Sequence, residues 1–112
     1  MILKYAFYQC GEKIAKEEKL SCLISGEAIG QVSTQTLKNL CALDQINSMA
    51  MFRPLCSESK YTIMDMARHI GTHDLAYKGP ELCAIAGKGV TTGTTYRKLM
   101  SCVRALNLEC LI

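Results

Sequence analysis

The sequence of 112 residues has no segment that would carry it into or across a membrane. No apolar run approaches the ~18 residues that a membrane-spanning helix needs. The first residues, MILKYAFYQC, include Lys4 and then polar residues, so they lack the apolar segment of a signal peptide. We therefore expect a cytoplasmic protein that makes no contact with a membrane.

The sequence also lacks any C-x-x-C pair, although it contains seven cysteines. Their count is odd and their spacings are long and irregular, which is not typical of a disulfide framework. His69 and His73 lie four residues apart, but Gly71 interrupts the helix that would be needed to bring them onto one metal ion. We expect reduced cysteines that pack in the core as small hydrophobic residues, and no metal, cofactor or small-molecule effector.

Acidic residues are absent from one long stretch near the C-terminus. There is no Asp or Glu between Leu82 and Leu108, where the basic residues are Lys88, Arg97, Lys98 and Arg104. The net charge of the whole chain, +3, is too small to indicate a polyanionic partner by itself. The local excess of positive charge favours contact with nucleic acid, although a solvated basic face would have the same composition.

The residues that are present indicate a globular, mostly α protein. Hydrophobic residues make up 49% of the chain and recur at helical spacing over most of it. We expect a first helix with Leu3, Phe7, Cys10 and Ile14 on one face, and a second that is capped by Ser33. The stretch NSMAMFRPL is expected to extend a short helix until Pro54 ends it.

The second half is expected to contain a helix capped by Thr62 and a last long helix opened by Thr91 or Thr92. Tyr96, Leu99, Val103 and Leu106 would form the buried stripe of that last helix. Its basic residues would face solvent, Asn107 would end it in a left-handed conformation, and LECLI would form a short strand. The linker-like stretch CSESK divides the chain into two predicted units, residues 1–56 and 57–112.

The stretch GKGVTTGTTYRKL, residues 87–99, has two interpretations. A phosphate-binding loop of the Walker type needs a hydroxyl residue after its lysine, whereas Lys88 is followed by Gly89. A helix-turn-helix unit needs a short helix, a turn with glycine and a second helix whose first residues face the bases. PELCAIA, GKGV and TTGTTYRKLMSCVRAL supply these three parts in order, which favours the second interpretation.

The segment GVTTGTTYRKL resembles the turn and recognition helix of TetR-type repressors. The longer GTTYRKLMSCVRALNLECLI is similar to the recognition helix and first wing strand of PadR- and MarR-type winged-helix regulators. These resemblances cover about residues 80–112. They imply a transcriptional regulator whose residues from Thr91 to Arg97 face DNA.

An internal similarity extends this interpretation to the first half of the chain. VSTQTLKNL, residues 32–40, repeats the pattern of VTTGTTYRKL, residues 90–99. Two tandem helix-turn-helix units would explain the repeat. Two capped helices would explain it equally, because serine and threonine are favoured at any helix start.

The sequence therefore predicts a helix-turn-helix bundle, as one unit or two, that binds double-stranded DNA as a homodimer and regulates transcription in a phage or mobile element. No catalytic residue is indicated, and the protein is not expected to be an enzyme. The alternative is a small helical adaptor or inhibitor that binds another protein. The predicted DNA contacts are Lys88, Thr91, Thr92, Thr94, Thr95, Tyr96, Arg97, Lys98, Arg104, Ser33, Thr34, Gln35 and Lys38.

Overall fold

The computed structural model of the chain describes residues 1–32, 34–77 and 91–108. Five helices and two strands are formed by these residues. They are α1 (Ile2–Glu17), β1 (Cys22–Ile24), α2 (Leu37–Asp44), β2 (Ala50–Phe52), α3 (Lys60–His69), α4 (His73–Tyr77) and α5 (Tyr96–Ala105).

The two strands form a parallel sheet in which Cys22 pairs with Ala50 and Ile24 pairs with Phe52. Parallel neighbours cannot be joined by a tight turn, and α2 lies in the connection between them. The unit β1–α2–β2 is therefore a βαβ crossover, and the architecture is α/β. The expected helix-turn-helix bundle is wrong, because residues 50–52 form a strand where a helix was expected.

The core lies where α1, α2 and α5 meet. Its buried residues are Tyr5, Tyr8, Leu43, Leu99 and Val103. Two members of the expected stripe on α5, Leu99 and Val103, are indeed buried, whereas Tyr96 and Leu106 are exposed. The first helix forms without a break at Gly11, but its residues Leu3, Phe7 and Ile14 are exposed, and it buries the opposite face.

Hydroxyl side chains begin three of the helices, at positions that differ from those expected. Thr36 caps α2, Ser59 caps α3 and Thr95 caps α5, each by accepting a hydrogen bond from a backbone N–H three residues later. Thr91 and Thr92 are thus not at the start of α5, and residues 91–94 precede the helix as a loop. Asn107 has a φ of +53°, which confirms the expected left-handed end of that helix.

Several predicted elements lie outside the described residues: the short helix PELCAIA, the turn GKGV and most of the strand LECLI. The division into units at residues 1–56 and 57–112 stays a prediction. Within the described part of the chain, no helix is both long and apolar enough to cross a membrane.

Candidate functional site

The carboxyl ends of both strands point to one edge of the sheet. β1 ends at Ile24 and leads into residues 25–36, here called the edge loop, while β2 ends at Phe52 and leads into Arg53. In open α/β sheets, ligands bind outside the carboxyl ends of parallel strands. This edge of the sheet is therefore the candidate site of ligand binding.

The edge loop is fixed by backbone hydrogen bonds to the segment that follows β2. Ser25 N–H donates to the carbonyl oxygen of Phe52 at 2.9 Å, and Ile29 N–H donates to that of Cys56 at 3.0 Å. Gly30 has a φ of +79°, a conformation that glycine adopts without strain and that closes the turn toward Gln35. The described residues of the loop therefore form an ordered surface.

Glu27 anchors this loop through a cluster of cations and hydroxyls. Its carboxylate is buried, with the residue 6% exposed, and it accepts hydrogen bonds from Lys4, Tyr8, Ser25 and Arg53. Burial alone would raise the pKa of Glu27, but the hydrogen bonds from Lys4, Tyr8 and Arg53 outweigh it and hold the pKa at about 2. Glu27 is thus an anion at neutral pH.

Arg53 connects the cluster to α2. Its guanidinium donates to Glu27 at 2.9 Å, to the Tyr8 hydroxyl at 3.1 Å and to both carboxylate oxygens of Asp44. Burial and the hydrogen bond to Glu27 raise the pKa of Tyr8 to about 12. Near neutral pH the Tyr8 hydroxyl is therefore protonated and Glu27 ionised, and their hydrogen bonds hold the edge loop in place.

A second fixed point joins the edge loop to the segment before α5. Asn39, which is 0% exposed, donates from Nδ2 to the carbonyl oxygens of Thr34 at 3.0 Å and Thr91 at 2.7 Å. Its Oδ1 accepts from the N–H of Thr94 at 2.8 Å, and Thr36 Oγ1 donates to the carbonyl oxygen of Thr92 at 2.7 Å. We call this set of bonds the Asn39 clamp.

A groove of about 510 Å³ runs between α2 and α5 beside the Asn39 clamp. Among the described residues, its charged side chains are Lys38 and Arg97, and no described carboxylate lines it. The residues that line it are Leu37, Lys38, Cys41, Ala42, Gln45, Thr94, Thr95, Tyr96 and Arg97. The wall of this α2–α5 groove is therefore basic.

The structure brings most of the predicted contact residues together, but on two packed helices and a loop. Lys38, Thr94, Thr95, Tyr96 and Arg97 line the α2–α5 groove. Thr34, Thr91 and Thr92 belong to the Asn39 clamp, in which their carbonyl oxygens accept hydrogen bonds. The side chain of Gln35 accepts a hydrogen bond from the N–H of Ala28. Lys98 and Arg104 are exposed on α5, whereas Ser33 and Lys88 lie outside the described residues.

The sequence interpretation missed Glu27, Asn39 and Arg53. The signal for Glu27 was a charged residue between two glycines, in SGEAIG, directly after the apolar run CLI. Asn39 gave no signal, since two of its three side-chain partners, Thr91 and Thr94, are more than fifty residues away in the sequence.

The expectation of cysteines packed in the core is wrong for three of them. Cys10, Cys41 and Cys102 are free and exposed, while Cys22 and Cys56 are half-buried. Among the described residues, no group of three or more histidine, cysteine or acidic side chains could hold a metal ion.

Comparison with known proteins identifies the family. Residues 1–108 match the family model described as thiamine biosynthesis protein (ThiI). The chain belongs to the ThiI family. Curated relatives include the tRNA sulfurtransferases of Klebsiella pneumoniae subsp. pneumoniae, 38% identical over 88% of this chain, and of Blochmanniella pennsylvanica, 41% identical over 85%. The chain spans about a fifth of these relatives, 20% of each.

A solved structure of a 4-thiouridine synthetase in complex with RNA and bound ATP shows the same fold. It superposes on 96% of this chain with a TM-score of 0.78 and 30% sequence identity, and the match covers 29% of that protein. The agreement supports the α/β architecture described above.

The family corrects the functional predictions. The chain does not belong to the TetR-, PadR- or MarR-type regulators that it was expected to resemble. The prediction of a transcriptional regulator of a phage or mobile element is also wrong. Duplex DNA is wrong as the partner, because the similar structure is an RNA complex, and the homodimer stays a prediction. The non-enzymatic assignment and the alternative of an adaptor or inhibitor are wrong too, because the relatives are sulfurtransferases, which are enzymes.

The resemblance misled for a physical reason. A Ser- or Thr-capped amphipathic helix with outward-facing arginine and lysine is the pattern that recognition helices share with many other helices. In this chain the pattern belongs to a helix that packs against α1 and α2.

Proposed function

We propose that this chain forms part of a tRNA sulfurtransferase that makes 4-thiouridine in the cytoplasm. The observation that carries the proposal is the family match over residues 1–108, together with relatives that are named for this activity. Formation of 4-thiouridine replaces a carbonyl oxygen of uridine by sulfur. The base must be held while its reaction partners approach.

In this proposal the chain positions the RNA-facing edge of the enzyme. The Glu27 cluster fixes the edge loop to α1 and β2, and the Asn39 clamp fixes it to residues 91–94. The bonds of Glu27 to Lys4 and Arg53 and those of the Asn39 side chain are buried or half-buried, so the described residues of these loops are held in one arrangement without a ligand. Such preorganisation lowers the entropic cost of bringing reactants together.

The described N–H groups of the edge loop do not fit the phosphates of ATP. A phosphate-binding loop presents free backbone N–H groups to its ligand. The consecutive N–H groups of Ala28, Ile29 and Gly30 already donate to Gln35 Oε1 and to the carbonyl oxygens of Cys56 and Gln35. We therefore derive no step through ATP from this loop.

The exposed side of α1 supports a position against further protein. Leu3, Phe7 and Ile14 share one face of the helix and are 59%, 64% and 57% exposed. Ile24 and Phe52, which end the two strands, are also exposed. A parallel sheet is normally covered on both faces, and two strands alone are marginally stable. We propose that the rest of a sulfurtransferase chain covers this apolar face.

A chimeric enzyme tests the proposal. The stretch of the Klebsiella pneumoniae tRNA sulfurtransferase that matches this chain is replaced by the chain itself, in a strain without its own enzyme. We expect 4-thiouridine to return to the tRNA, measured by mass spectrometry of its nucleosides. Leu106→Ala, at the exposed residue that follows α5, is the matched control and should keep the activity. A chimera that folds and yields no 4-thiouridine would overturn the proposal.

A second pair of variants tests the covered face. Phe7→Lys places a charge on the apolar side of α1, whereas Ile70→Lys places one at an exposed apolar residue after α3. We expect the chimera with Phe7→Lys to lose soluble yield and the chimera with Ile70→Lys to keep it. Equal yields would contradict coverage of α1 by the rest of the enzyme.

A further inference from the structure

We propose that the α2–α5 groove binds the phosphate backbone of RNA, with Lys38 and Arg97 as the cationic contacts and Tyr96 as a stacking surface for a base. The proposal rests on the proposed function, which supplies RNA as the partner. It goes further by assigning the contact to one groove and to residues of this chain.

Charge is the first argument for the groove. Lys38 and Arg97 are exposed on its opposite walls, and neither forms an ion pair within the described part of the chain. The acidic residue of α2, Asp44, is neutralised by the guanidinium of Arg53. Two uncompensated cations facing one groove favour a polyanion that can contact both.

Shape and hydrogen-bonding capacity are the second argument. Tyr96 is 41% exposed at the groove, and an exposed aromatic face beside cations is how proteins hold unpaired bases. The methylene stem of Lys38 lies beside Gly93, where an added Cβ would be 3.6 Å from Cδ. Lys38 thereby crosses from α2 toward the loop that precedes α5, so that its ammonium and the Arg97 guanidinium serve the same groove.

Rigidity is the third argument. The Asn39 clamp holds residues 91–94 against α2, and Leu99 and Val103 bury the inner side of α5. The spacing between the two cationic walls is therefore set by the fold before any RNA binds. A preformed site loses less entropy on binding than one that must be ordered.

Direct binding to the full 112-residue chain is the first test. Fluorescently labelled tRNA is titrated with the parent, Lys38→Gln, Arg97→Gln and the double variant at several salt concentrations. Loss of one phosphate contact should weaken binding about five- to eightfold near 0.1 M salt and flatten the salt slope by about 0.7–0.9. Arg97→Lys keeps the charge and should largely keep the slope.

Two further variants separate the contributions. Lys60→Gln removes an equal charge at the start of α3, away from the groove, and should leave both affinity and slope unchanged. Tyr96→Leu should weaken binding without changing the salt slope, because stacking releases no counterions. Circular dichroism of each variant checks that the fold is retained. A double Lys38/Arg97 variant that is folded and binds tRNA like the parent would overturn the proposal.

Cysteine alkylation gives an independent measurement on the parent chain. Cys41 lines the groove, whereas Cys10 and Cys102 are exposed elsewhere on α1 and α5. Saturating tRNA should slow alkylation of Cys41 and leave that of Cys10 unchanged, as read from peptide masses. Equal protection of both cysteines, or of neither, contradicts binding in the groove.

The outcomes also separate this proposal from the proposed function. If the groove variants lose tRNA binding while the chimera makes no 4-thiouridine, the groove stands and the sulfurtransferase assignment fails. If the chimera is active and the double variant binds normally, only the groove fails. Poly-glutamate serves as a competitor. If it displaces the labelled tRNA as effectively as unlabelled tRNA does, the groove favours an acidic protein partner, and the assignment to RNA is overturned.

Discussion

The side-chain oxygen of Asn39 accepts a hydrogen bond from the backbone N–H of Thr94, a residue 55 positions further along the chain. The same amide donates to the carbonyl oxygens of Thr34 and Thr91. One buried side chain thus joins the edge loop, α2 and the segment that leads into α5.

Asn39→Ala should lower the free energy of unfolding by about 2–4 kcal/mol, because each buried polar group left unpaired costs about 1–3 kcal/mol. Urea denaturation followed by circular dichroism measures the change. Gln45→Ala is the control, since the Gln45 amide donates to its own helix and the residue is exposed. That control should stay within about 0.5 kcal/mol of the parent. An equally small change for Asn39→Ala would show that the clamp contributes little.

Glu27 should make the protein sensitive to acid. Its pKa is about 2 in the folded chain, below its ordinary value of 4.5, so folding favours the ionised form. The stabilisation is present above pH 4.5 and should be lost as the pH falls toward 2. Glu12 shares this direction, because its bonds to Lys16 and Ser48 outweigh burial and lower its pKa.

Comparison with Glu27→Gln isolates the contribution of Glu27. The variant should be less stable at neutral pH, and its stability should fall less steeply over the acid range than that of the parent. Urea midpoints recorded at several pH values give both quantities. Parallel pH profiles for the two proteins would contradict the assignment.

Replacing a buried and an exposed leucine of the α5 region by alanine should change the stability of the fold by different amounts. Leu99 is buried in the core, whereas Leu106, the residue that caps the end of the same helix, is exposed. Leu99→Ala should cost about 2–5 kcal/mol in stability. Leu106→Ala should cost no more than about 0.5 kcal/mol. Thermal unfolding of the two variants makes a matched comparison, and similar losses would mean that α5 does not pack as described.

Native thiol reactivity should follow exposure. Cys10, Cys41 and Cys102 should be alkylated quickly in the folded chain, and the half-buried Cys22 and Cys56 more slowly. Iodoacetamide labelling with peptide mass spectrometry resolves the sites. A folded protein in which Cys10 stays unmodified, yet reacts after unfolding, would contradict its exposed position.

Local patterns in the sequence predicted the helices better than the way they pack. The spacing of hydrophobic residues and the capping residues located α1, α3 and α5, since both signals act within one or two helical turns. The same signals misplaced the caps of α2, α3 and α5, because several Ser and Thr residues compete near each start. Burial on α1 was not predictable, as Leu3, Phe7 and Ile14 form an apolar stripe that this chain does not itself cover.

The sheet and the candidate site depend on contacts between distant residues. Each strand has three residues, too few for an alternating pattern of hydrophobic and polar residues. β2 pairs directly with β1, which precedes it in the sequence on the other side of α2. Lys38 and Arg97 lie in two separate stretches of the sequence that were each predicted as DNA contacts, and the structure places both beside one groove. Their proximity depends on the packing of α5 against α2, which local sequence patterns do not encode.

The Asn39 clamp also closes a ring of about fifty residues, from α2 to Thr91. The first part of this ring includes β2, which pairs with β1, and the ring continues through α3 and α4. α3 buries none of its residues and packs against α4. Doubling the length of such a ring adds only about 0.6 kcal/mol to the free-energy cost of closing it. Insertions and deletions around α3 and α4 should therefore be tolerated, while the junction at Asn39 keeps its geometry.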